Sequence, residues 1–130
     1  LMKVKTQIKA KVTNGDFKSL RIDNLINIYV DDDCAYFNET PIPKRIAEEI
    51  IDSVKADTPI RLHLSYIEYE ANLTLEVEDY GLSIKQGDKE ILTIEFYGDK
   101  AVLLTPKGVY EIRHADKLRE TLRHKVTAYV

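Results

Sequence analysis

Lys3, Lys5, Lys9 and Lys11 alternate with Val4, Ile8, Ala10 and Val12 at the start of the chain. In an extended strand that period of two projects the lysines from one side and the apolar residues from the other. A row of ammonium groups at this spacing has the chemistry to follow a phosphate backbone. Asn14-Gly15 comes next, a pair that tolerates positive φ and favours a tight hairpin, so Lys18 and Arg21 are expected across the hairpin from the row. The candidate nucleic-acid contacts are therefore Lys3, Lys5, Lys9, Lys11, Lys18 and Arg21. Two observations weigh against them: the net charge is −3 with a pI of about 5.6, and no aromatic residue interleaves the row as a stacking platform. Lysines along an exposed strand also keep one sheet edge from pairing with another molecule, and that reading is preferred.

The remaining reactive side chains form no recognisable site. Asp31-Asp32-Asp33-Cys34 brings carboxylates and a thiol together, but successive residues of an extended chain point to opposite faces, and the spacing of a calcium loop is absent. His63, His114 and His124 fall outside any zinc-binding pattern. Glu68, Glu70, Glu76 and Glu78 can place carboxylate pairs on one face as an acid–base dyad would require, yet the polar faces of antiparallel strands carry such glutamates routinely. No nucleophile motif or glycine-rich phosphate loop is present. No catalytic residue, metal or cofactor is expected.

The elements that must position these groups read as follows. Lys3 to Val12 is a half-buried strand, and Leu20 to Val30 is its hairpin partner. Cys34 to Phe37 adds a short strand. Pro41 and Pro43 suit a helix entrance, and from Lys44 to Lys55 the residues Ile46, Ala47, Ile50, Ile51 and Val54 recur at spacings of three and four, which predicts an amphipathic helix. The stop falls at Asp57-Thr58-Pro59. Six strands are then predicted: Ile60 to Glu68, Ala71 to Glu78, Gly81 to Lys85, Glu90 to Tyr97, Lys100 to Thr105 and Val109 to Arg113. Leu62, Leu64 and Tyr66 share one face, as do Leu73, Leu75 and Val77, so each row is expected to face the core. Ala115, Leu118 and Leu122 predict a short terminal helix. No internal repeat is visible.

With 130 residues, the chain suits one domain, 1–130, of class α+β. The expected architecture is an N-terminal β-hairpin, one amphipathic helix, a six-stranded antiparallel β-meander packed on that helix, and a short C-terminal helix. No apolar run approaches the roughly 20 residues that span a bilayer, and no secretion signal leads the chain, so a cytoplasmic protein without membrane contacts is expected. Eight tyrosines and uneven charge favour a non-catalytic interaction protein of unknown function. It would self-associate as a homo-oligomer or dock on another protein, through a sheet edge or a tyrosine-bearing surface. Nucleic-acid binding through the basic hairpin is the alternative. A small-ligand binder or enzyme with a pocket between helix and sheet is the third reading.

Overall fold

The computed structural model describes residues 4–130, and Lys3 of the expected lysine row lies outside the described residues. The first half of the chain forms β1 (Val4–Asn14), β2 (Lys18–Ile22), β3 (Ile26–Val30), β4 (Ala35–Phe37), β5 (Thr40–Pro41) and helix α1 (Lys44–Ser53). After β6 (Arg61–Leu62), the second half forms β7 (Ile67–Val77), β8 (Gly81–Gln86), β9 (Lys89–Tyr97), β10 (Lys100–Thr105), β11 (Gly108–Ile112) and helix α2 (Asp116–Val126). The result is an α+β fold dominated by antiparallel sheet.

The expected separate hairpin and six-stranded meander are one sheet, ordered β11-β10-β9-β8-β7-β1-β2-β3-β4-β5, with β6 paired to β7 alone. Leu20 to Val30 is not one strand. Asp23 takes a left-handed φ of 45° and breaks it into β2 and β3, a conformation that Asp and Asn tolerate better than most residues. The predicted strands Ile60 to Glu68 and Ala71 to Glu78 are also redrawn. Tyr69 and Glu70 continue the alternation without a turn residue, so β7 runs unbroken, and the reversal falls earlier, where His63 N–H donates to the Tyr66 carbonyl at 2.9 Å.

The sheet is curled. α1 touches β2, β3 and β4 on one arm and β9 and β10 on the other, so its apolar stripe is enclosed from two sides. Ile46, Ala47, Ile50, Ile51 and Val54 are at most 2% exposed, and burying each isoleucine contributes about 1.5–3 kcal/mol before entropy is counted. α2 buries Leu118 and Leu122 as its spacing predicts. Beyond α2, the Tyr129 hydroxyl donates to Asp23, tying the end of the chain to the β2–β3 turn.

The two halves share a plan that the sequence does not display. Each opens with an eleven-residue strand, β1 or β7, continues through four shorter antiparallel strands, and closes with a helix of ten or eleven residues. β1 and β7 lie side by side with Lys9 opposite Asn72 at their centres, so an approximate two-fold axis passes between them. Ile8, Ala10 and Val12 in one half and Ala71, Leu73 and Leu75 in the other fill matching inward positions, all buried.

Candidate functional site

The lysine row is real on its strand and only partly at an edge. β1 pairs with β7 along its whole length but with β2 only from Ala10 to Asn14, so Lys11 stands between two strands, whereas Lys5 and Lys9 lie on a stretch with no strand partner on its other side among the described residues. Their neighbours on β7 are acidic or neutral: Lys5 lies opposite Glu76, Lys9 opposite Asn72 and Lys11 opposite Glu70. Lys11 reaches diagonally to Glu68 at 3.8 Å. Arg61 approaches Glu68 at 4.0 Å and Glu70 at 3.9 Å, and Lys85 sits 2.9 Å from Glu76. Cross-strand pairs of opposite charge stabilise a sheet modestly, and here they offset the field that a phosphate backbone would meet.

Arg21 shares the outer face, directly across from Lys11. Lys18 does not. It lies two and four residues before the buried Leu20 and Ile22 and shares their face, so it points to the inner side, where its Nζ binds Asp52 of α1 at 3.1 Å. The six predicted contacts thus divide into Lys5, Lys9, Lys11 and Arg21 on one surface, Lys18 on the other, and the undescribed Lys3. The glutamates are equally distributed among partners: Glu68, Glu70 and Glu76 stand on the outer face of the single strand β7, each beside a cation.

Asp31 is a turn residue. Its carboxylate accepts from the backbone N–H of Asp33 at 2.8 Å and of Cys34 at 2.9 Å, and from the Tyr29 hydroxyl at 2.7 Å. The Tyr29 bond first, then the two backbone donors, lower the Asp31 pKa to about 2, and the same bond raises the Tyr29 pKa to about 12. Cys34 is half-buried rather than a core residue, its Sγ 3.6 Å from the Asp31 carboxylate. No cluster of metal-ligating side chains occurs among the described residues. No described helix is long and apolar enough to cross a membrane.

The surface that the sequence did not reveal lies between α1 and β7. Leu62 and Leu64, expected in the core, are 81% and fully exposed, and Ile60 is half exposed. β6 is only two residues long and pairs with β7 alone among the described strands, and the segment around it stands exposed as a lobe. His63 stacks on Tyr66 with ring centroids 4.3 Å apart, which stiffens the turn. The lobe also rests on the tip of the β1–β2 hairpin: a Cβ on Gly15 would lie 2.7 Å from the Ser65 carbonyl oxygen and 2.7 Å from Tyr66 Cβ. On that same tip Phe17 is exposed and stacks on Tyr29 at 5.4 Å. Alternation of apolar and polar residues reports an extended chain but not whether another layer covers it, which is why Leu62 and Leu64 read as core.

No family model matches the chain, and no curated protein or solved structure matches it as a relative.

Proposed function

We propose that the protein is a non-catalytic assembly module that pairs with a second copy of itself through the Ile60–Tyr66 lobe. The exposure of Leu62 and Leu64 on an ordered turn carries this reading. Apolar side chains gathered on one projection mark contact surfaces, and β6, which pairs with β7 alone among the described strands, adds a strand edge. Arg61, Glu68 and Glu70 surround the lobe with both signs of charge, which suits the self-complementary patch that a two-fold contact requires. Burying both leucines from two copies supplies about 6–12 kcal/mol gross, comparable to the roughly 4–15 kcal/mol cost of association. Contacts by Ile60, Tyr66 and Phe17 would complete the balance.

Size-exclusion chromatography with light scattering tests the proposal. A concentration-dependent dimer is expected, reverting to monomer in Leu62→Asp/Leu64→Asp with the fold retained by circular dichroism. A wild-type protein that stays monomeric at high concentration overturns self-association and leaves docking on a different protein for the same lobe. The nucleic-acid alternative, through Lys5, Lys9, Lys11 and Arg21, has less support because glutamates occupy the adjacent strand. Salt-sensitive binding to single- or double-stranded probes, abolished by Lys9→Glu/Lys11→Glu, would reinstate it.

A further inference from the structure

We infer that the cavity between α2 and the neighbouring end of the sheet is a binding site for a small amphipathic carboxylate, an acid head on an apolar chain or ring. The cavity measures about 530 Å³, within the range of small-molecule sites. Its floor is the inward row of the sheet, Val77, Leu82 and Phe96, and its helix wall is Leu122 and Val126.

The helix of the first half offers a comparison, residue by residue along the helix. Counted from the residues that cap the two helices, Pro43 and Ala115, Leu118 and Leu122 correspond to Ile46 and Ile50. Val126 corresponds to Val54. The two differences are Arg119 and Arg123, which stand where α1 has Ala47 and Ile51, both buried. α1 seats its whole stripe in the core, whereas α2 seats only the Leu118–Leu122 edge and leaves the arginines beside an apolar space.

Those arginines are one turn apart on one helix wall. Arg119 is pre-oriented: its guanidinium donates to the Gly98 carbonyl and to Asp116, the latter at 3.3 Å. Its Nε is closed from solvent without a hydrogen-bond partner. Arg123 has no ion-pair partner among the described residues, so its planar fork is available to a carboxylate. Glu78 and Asp79 line the opposite rim, but both are exposed on the β7–β8 turn. Arg119 shares its charge with Asp116 at 3.3 Å, so Arg123, whose planar fork has no ion-pair partner among the described residues, is the cation left to receive an acid head. An anionic head is therefore favoured at the helix wall, with the apolar body on the sheet floor.

This site is independent of the lobe. β7 begins at the lobe and ends at the cavity, and an eleven-residue strand separates them by about 33 Å at roughly 3.3 Å per residue.

Isothermal titration with dodecanoate below its micelle concentration, and displacement of anilinonaphthalene sulfonate by the same acid, test the inference on the full chain. One dodecanoate per chain is expected, weakened about tenfold or more by Arg123→Glu, where a charge-assisted bond is replaced by repulsion. Val126→Trp, which fills the cavity, should weaken it at least as much. Dodecyltrimethylammonium should bind at least about tenfold more weakly than the acid. Absence of dodecanoate binding, equal binding of the acid and the ammonium, or full binding by Arg123→Glu would each overturn the assignment. Arg123 is exposed, so its substitution keeps the readout valid even where Val126→Trp fails to fold.

Discussion

Gly81 is where the β8–β9 ladder leaves no room for a side chain. A methyl group there would lie 1.8 Å from the Ile94 carbonyl oxygen and 2.8 Å from its carbon, whereas ordinary contact begins at 3.4 Å. Both obstacles are backbone, so relief requires the strands to part beside the Gly81–Glu95 pair. Overpacking of this kind costs about 1–3 kcal/mol. Parting the strands also strains the Glu78 N–H to Gly81 carbonyl bond at 2.9 Å and the Phe96 N–H to Tyr80 carbonyl bond at 2.7 Å, each contributing about 0.5–1.5 kcal/mol. Gly81→Ala should therefore lower stability by about 2–6 kcal/mol. With a urea dependence near 2 kcal/mol per molar, its denaturation midpoint should fall by about 2 M. Gly108→Ala is the control, because nothing lies within 4 Å of its added methyl, and its effect should stay within about 1 kcal/mol of either sign. A loss below about 1 kcal/mol in Gly81→Ala, or equal losses in both variants, would refute the steric reasoning.

Leu73→Ala should cost about 2–5 kcal/mol in the same assay, while Leu64→Ala should change the dilute monomer by less than about 0.5 kcal/mol. Equal effects would mean that the lobe is covered. The Asp31 carboxyl, lowered from 3.8 to about 2 by its native bonds, stabilises the fold fully above about pH 4 and loses that contribution as pH falls through 2. Asp31→Asn should flatten this acid limb in denaturation measured against pH. Tyr29, raised from 10.0 to about 12, contributes fully below pH 10 and loses its contribution as pH rises through 12. An alkaline limb unchanged in Tyr29→Phe would count against the Tyr29–Asp31 bond.

Helical periodicity made α1 legible, because spacings of three and four select one face and that face has to be buried somewhere. The same holds for Leu118 and Leu122. The β2–β3 break was missed although it left a signal, since Asp23-Asn24 interrupts an apolar run with residues that accept left-handed backbone. Long-range register is different in nature. Nothing local to Lys5 or Lys11 encodes that Glu76 and Glu70 will stand beside them, because that pairing depends on two distant segments meeting. The lobe was hidden for a related reason: Leu62 and Leu64 alternate as Leu73 and Leu75 do, and only the arrangement of the layers separates them. The cavity escaped notice because Arg119 and Arg123 gain significance only when α2 is compared with α1.

The β1–β7 ladder has a kinetic consequence. Every other strand pairing among the described residues joins segments consecutive along the chain, whereas this one brings Val4 to Val77 and Asn14 to Ile67. Short hairpins close quickly, and each half possesses a helix on which to collapse, but the central rungs must wait for the halves to find one another. Until they do, each half presents its longest strand as an open margin. The moment of greatest risk from sticking to neighbours therefore comes just before that seam is sewn.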